Sequence, residues 1–195
     1  MVMIFRLANM YKGKLQNGQI ITVFEPSYGT RHKEYSMNEA SILVKLEHEN
    51  VAKLLGYCIE GTRFFLVYDF PVHAILDHLM FDPECTLLNW DKRYKIILDV
   101  ARALLYLHRD APVRVIHCDV KPGNILLDES LSPILSSFWT AKCLAINETN
   151  CHVSRIHGTW LVPKNHPFSS HAHLINQLHP IQVIFNLGCA FDLFD

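Results

Sequence analysis

The spacing of apolar and polar positions changes several times along the chain, and each change marks an element. Residues 10–24 alternate around Asn17-Gly18, a dipeptide suited to a tight hairpin, so two antiparallel strands joined by a two-residue turn are predicted there. Residues 33–46 place Met37, Ala40, Leu43 and Val44 at helical spacing. Strands are predicted within 48–58 and 64–70, the second an apolar run from Phe64 to Tyr68 ahead of Asp69. Residues 75–81 read as a short helix. A long helix opens at Asn89-Trp90-Asp91 and runs to about His108. Asn89 is a good N-cap, Tyr94, Ile97, Leu98, Ala101, Leu104 and Leu105 fit a 3.6-residue period, and Pro112 ends it. Ile125-Leu126-Leu127 reads as a short strand, and the apolar stretch 181–191 as a strand or helix.

Composition narrows the class. The chain has 195 residues, 50% of them hydrophobic, and a formal net charge of -1, which suits one globular unit with a core and gives no electrostatic case for nucleic acid or an anionic membrane. No apolar run approaches the roughly 18 residues of a membrane span. The six cysteines form no C-x-x-C pair, and Met1 to Met10 carries no signal-peptide pattern, so free thiols and a reducing compartment are expected. Asn147-Glu148-Thr149 then reads as a coincidental glycosylation match. His152, His157, His166, His171, His173 and His179, with Cys151 and Cys189, match no zinc spacing and read as scattered polar histidines.

The stretch Ile116-His117-Cys118-Asp119-Val120-Lys121-Pro122-Gly123-Asn124 carries the chemistry. It resembles the catalytic loop of eukaryotic protein kinases, written H-R-D-L-x-x-x-N in that family. The resemblance implies that Asp119 orients the substrate hydroxyl, Lys121 neutralises the transferred phosphoryl group and Asn124 binds magnesium. The plainer alternative is that Asp119 and Asn124 tie the loop together by hydrogen bonds.

The likeness covers residues 10–163. Tyr11-Lys12-Gly13, the segment His48 to Cys58, the run Leu66 to Phe70 and the helix 93–108 resemble plant receptor-like kinases, notably the cysteine-rich class and its cytoplasmic relatives. It implies helix C at 33–46 with Glu39 as its ion-pair glutamate, Tyr68 as gatekeeper and Asp69 at the start of the hinge. It implies a continuous apolar spine through Leu43, Leu54, His117 and Phe138. Several family residues are replaced. Phe5-Arg6-Leu7-Ala8-Asn9 stands where a glycine-rich loop would let amides approach phosphates. Phe24 stands for the ATP-holding lysine, so Glu39 is expected to be solvated or otherwise paired. Thr22 replaces the alanine that roofs the adenine and puts a hydroxyl on an apolar surface. Cys118 replaces an arginine that receives an activating phosphate. Ser137 replaces the magnesium-binding aspartate, and a neutral hydroxyl is a poor ligand for a hard cation. Trp139 replaces a flexible glycine, which should fix its segment. Arg155 to Pro163 resembles the end of the activation segment, with Lys164 in place of its closing glutamate.

The resemblance implies an α+β, protein kinase-like fold with a small antiparallel β lobe carrying helix C and an incomplete, mainly helical large lobe. The expected division is 1–70, 71–164 and a diverged tail 165–195. Its cofactors would be ATP and magnesium, with weak or absent binding. The expected function is that of a pseudokinase, a kinase-like interaction module. Active receptor-like kinases are the expected partners, with a cytoplasmic location, at the inner face of the plasma membrane through those partners. The alternatives are a serine/threonine kinase with a rearranged site and a truncated chain without a stable fold.

Overall fold

A computed structural model describes residues 2–5, 8–26, 31–80, 82 and 86–144. The expectations for 155–164 and for the tail therefore lie outside the described residues. The first lobe is a five-stranded antiparallel sheet in the order β1-β2-β3-β5-β4. Its strands are β1 (Val2–Phe5), β2 (Ala8–Lys14) and β3 (Ile20–Pro26), then α1 (Arg31–Leu43), β4 (Leu54–Glu60) and β5 (Arg63–Tyr68). The β2–β3 hairpin forms where Asn17-Gly18 predicts it, but with a longer turn. Leu15 bonds across to Gln19, and three residues lie between them, with Gly18 at φ 90°. That positive φ is why glycine serves there.

Helix α1 packs on the sheet through Ser36, Glu39, Ala40, Ile42 and Leu43, all buried. Met37 and Val44, expected to face the core, are exposed instead. The chain then enters the second lobe through β6 (Ala74–Ile75), α2 (Leu76–Met80) and α3 (Trp90–Leu105), which passes into one π-helical turn, Tyr106–Asp110. Asn89 caps α3 as expected, its Oδ1 accepting from the Lys92 amide at 3.1 Å. The phase of α3 follows the expectation at Ile97 and Leu104 and departs from it elsewhere. Its core face is Ile96, Ile97, Val100, Ala103 and Leu104, continued by Leu107, while Tyr94, Leu98 and Leu105 are exposed.

After α3 come β7 (Arg114–Ile116), a 3-10 turn Pro122–Asn124, β8 (Ile125–Leu127), β9 (Pro133–Leu135), a 3-10 turn Phe138–Thr140 and β10 (Lys142–Leu144). Strands β6, β8 and β9 form one small sheet, and β7 pairs with β10. These two short pairings put the loops after β7 and β9 side by side. The lobes are joined by more than the 69–73 linker. Ala52 N–H donates to Leu135 O at 2.9 Å, Leu135 N–H to Asn50 O at 2.8 Å, and Asn50 Nδ2 to Pro133 O at 2.9 Å. Tyr106 stacks on His48 with centroids 4.9 Å apart and accepts from the Glu47 amide at 2.8 Å.

Candidate functional site

The loop after β7 is built on a buried histidine. His117 lies edge-on to Phe138, with centroids 4.6 Å apart. Its Nε2 is 2.8 Å from Ser136 O, and its Nδ1 accepts from the Asp119 amide at 3.3 Å. Those two contacts suit the neutral ring with hydrogen on Nε2, and burial holds its pKa down at about 4. Asp119 is thereby fixed. Its Oδ2 accepts from Asn124 Nδ2 at 2.8 Å and lies 2.9 Å from Lys121 Nζ. Asn124 Nδ2 also donates to Asp119 O at 2.7 Å. The three loop residues expected to act together are therefore together. The hydrogen bonds that tie the loop are equally real, so both readings of Asp119 and Asn124 describe one arrangement.

Ser136 couples this loop to the next. Its N–H and Oγ both donate to Asn124 O, at 3.0 Å each. Ser137 then adopts φ 67°, ψ 56°, the left-handed region that non-glycine residues seldom enter, and the chain turns into Phe138–Thr140. Phe138 is fully buried.

Helix α1 grips that turn with two consecutive side chains. Asn38 Nδ2 lies 3.3, 2.9 and 3.1 Å from the carbonyl oxygens of Phe138, Trp139 and Ala141. Glu39 accepts from the backbone amides of Phe138 and Ser137, and from Tyr68 Oη at 2.9 Å. Of the two expectations for Glu39, the pairing holds and solvation does not: the side chain is buried, and burial raises its pKa to about 7. Tyr68 is raised too, by burial and by the facing carboxylate.

Phe24 lies where the β2–β3–β5 register puts it, opposite Met10 and Leu66. With Met10, Glu39, Tyr68, Leu126, Ser136 and Ser137 it lines a cavity of about 10 Å³, the room that one water needs. Asp69 starts the linker. Its N–H donates to Lys53 O at 2.9 Å, and its carboxylate takes Gln19 Nε2 and, at 3.6 Å, Lys53 Nζ. Thr22, expected to leave a hydroxyl on an apolar surface, is satisfied: its Oγ1 donates to Phe70 O at 2.6 Å. Cys118 is buried at φ 66°.

This layout has a loop with buried Asp119 and Asn124 beside a half-buried Lys121, a turn that opens on left-handed Ser137, and a helix glutamate between that turn and the sheet. Comparison with known sequences gives the layout its family, because residues 10–163 match the protein kinase domain model. The chain belongs to the protein kinase family. It is 42% identical over 153 residues to cysteine-rich receptor-like protein kinase 25 of Arabidopsis thaliana, covering 77% of this chain and 23% of that protein. It is 46% identical over 154 residues to cysteine-rich receptor-like protein kinase 26 of the same plant, covering 77% and 23%. A G-type lectin S-receptor-like serine/threonine-protein kinase from that plant is 44% identical over 153 residues, covering 77% and 19%. The chain spans about a quarter or less of the length of these relatives. No helix among the described residues is long and apolar enough to cross a membrane.

Within this kinase fold, Asn38 and Ser136 are the positioning residues that the sequence did not mark. Asn38 directly precedes Glu39, so its visible role was as a helix residue, and its three acceptors lie 100 to 103 positions away. Asn38→Ala leaves those carbonyls without that donor. The expected loss is about 1–3 kcal/mol of stability, with faster amide exchange in 137–141. Unchanged exchange there would show that the grip is incidental.

Proposed function

We propose that this kinase-family chain is a pseudokinase that signals through contacts rather than by phosphoryl transfer. The observation that carries the reading is the buried Glu39 carboxyl, which, among the described residues, faces Tyr68 and the Phe24-lined cavity rather than a cation. Phosphoryl transfer in this family works by positioning and by charge stabilisation. The Phe24 side chain offers no N–H, and Ser137 offers no charge. The donors do not match a magnesium nucleotide, so ATP and magnesium binding is weak or absent in this reading. Each lost charge-stabilising group costs about 3 kcal/mol of transition-state stabilisation, roughly a hundredfold in rate.

One observation favours a second reading, a serine/threonine kinase with a rearranged site: Asp119, Lys121 and Asn124 keep their mutual contacts. By analogy with the relatives named above, the partners are active receptor-like kinases, met in the cytoplasm at the inner face of the plasma membrane.

The test is phosphate transfer to a general serine/threonine substrate with ATP and magnesium, using the purified chain and Asp119→Ala. The expected result is no difference between the two. The double variant Phe24→Lys with Ser137→Asp should gain magnesium-dependent ATP binding, read as a rise in melting midpoint by mass action. Normal turnover in the wild type that Asp119→Ala abolishes would establish the second reading.

A further inference from the structure

The sheet of the first lobe ends on an open edge. β4 is its outermost strand, with β5 on one side only. Half of the N–H and C=O groups of an edge strand point away from its neighbour, ready to pair with another chain. Among the described residues, no backbone bond outside the β4–β5 pairing reaches 54–60. Edges are commonly blunted by proline, by lysine or by an inward charge. None of these stands between Leu54 and Ile59. The strand instead shows Leu55, Tyr57 and Ile59, which are 43%, 52% and 47% exposed. Tyr57 stacks on Phe64 with centroids 5.5 Å apart, so its ring is held in place while half of it meets solvent.

The ends of the strand select its partner. A regular strand would point Lys53 and Glu60 to opposite faces, because an odd number of positions separates them. The bulge between Leu54 and Gly56 removes that offset. Lys53 then lies beside Asp69 at 3.6 Å, and Glu60 beside Arg63 at 3.7 Å, on one face of the sheet. Both side chains remain open, at 55% and 73% exposed. Turned antiparallel onto a copy of itself about Tyr57, the strand sets Lys53 opposite Glu60 of the second copy at each end. Leu54 and Leu55 meet Ile59, Gly56 leaves room for Cys58, and the two Tyr57 rings come together. Parallel pairing in register would set like charge on like charge, which opposes it.

We propose that β4 is a self-association edge, through which two copies of this chain pair antiparallel into one continuous sheet. The contact is isologous, so it closes as a dimer and uses up both edges. A single strand pair is a small interface, so the dimer is weak and depends on concentration. The inference goes beyond the pseudokinase reading and holds whether or not the chain transfers phosphate.

The test is sedimentation equilibrium of the purified chain from about 1 μM to about 500 μM, the range of weak association. The wild type should pass from monomer toward dimer, and a monomer throughout overturns the inference. Lys53→Glu and Glu60→Lys each set like charges opposite one another at both ends, so each alone should associate at least tenfold more weakly. Mixed in equal amounts, the two variants face each other with opposite charges again and should recover the wild-type affinity. Dimerisation that either variant leaves unchanged, or a mixture that does not recover, overturns the antiparallel β4 pairing. Should a variant fail to fold, hydrogen exchange of the wild type decides. At least tenfold slower exchange of amides within 54–60 at the high concentration supports the inference, and exchange there that does not depend on concentration overturns it.

Discussion

Glu39→Gln is expected to make stability rise more steeply with pH, between 4.5 and about 7, than it does in the wild type. Two buried groups titrate in opposite senses. Glu39 is displaced upward from 4.5 to about 7 by burial, which outweighs the opposing hydrogen bonds from Tyr68 and from the amides of Phe138 and Ser137. The native state then holds more protons than the unfolded chain across that window, so this contribution falls as pH rises from 4.5 to about 7. His117 is displaced downward from 6.5 to about 4 by burial, with Asp119, Lys121 and His108 as its charged neighbours. There the native state holds fewer protons, and the contribution rises with pH from about 4 to 6.5. Each is worth on the order of 3 kcal/mol over its window, and where the windows overlap they oppose. Removing the carboxyl leaves the contribution of His117 unopposed. Urea unfolding of both proteins at several pH values checks this, because the other acids are common to the two and cancel in the difference. Parallel profiles for the wild type and Glu39→Gln would show that Glu39 does not titrate in this way.

Phe138→Ala should have the largest effect on stability, a loss of about 3–5 kcal/mol. The side chain is fully buried and heads the large buried side chains of the core, with His117 against its edge. It also anchors the turn whose carbonyls Asn38 holds. Domains of this size are stable by about 5–15 kcal/mol, so the variant should stand near the limit of folding. Phe138→Leu, which keeps most of the volume, should lose much less. Denaturant midpoints for the three proteins measure this, and a loss below about 1 kcal/mol for the alanine variant would mean that the site collapses around the gap.

What could be read in the chain was its local order. Asn17-Gly18, the Asn89 cap and the spacing from His117 to Asn124 are signals that act over a few residues, and each lies where it was expected. Ser137 and Phe24 were also legible, because a strand register and a fixed interval place them. The phase of α3 was not. That helix carries two apolar rows, one through Tyr94, Leu98 and Leu105 and one through Ile96, Val100, Ala103 and Leu107. A 3.6-residue period shows that a helix is amphipathic, but two rows of similar character leave open which one meets the core. The partners of Glu39 and Thr22 were hidden for a different reason. Tyr68 is 29 residues from Glu39, and Phe70 is 48 from Thr22. Nothing in the local sequence says that a missing lysine has been answered by a phenol, or that a roofing threonine bonds to the linker.

The contact of Tyr106 with Glu47 and His48 bears on how the two halves can move. Together with the Asn50–Ala52 strap, it fastens the stretch 47–52 of the first lobe to both Tyr106 and the Pro133–Leu135 strand of the second. Two ties that start from one short stretch keep a single axis there. Any swing of the described lobes that leaves these bonds whole should therefore turn about residues 47–52.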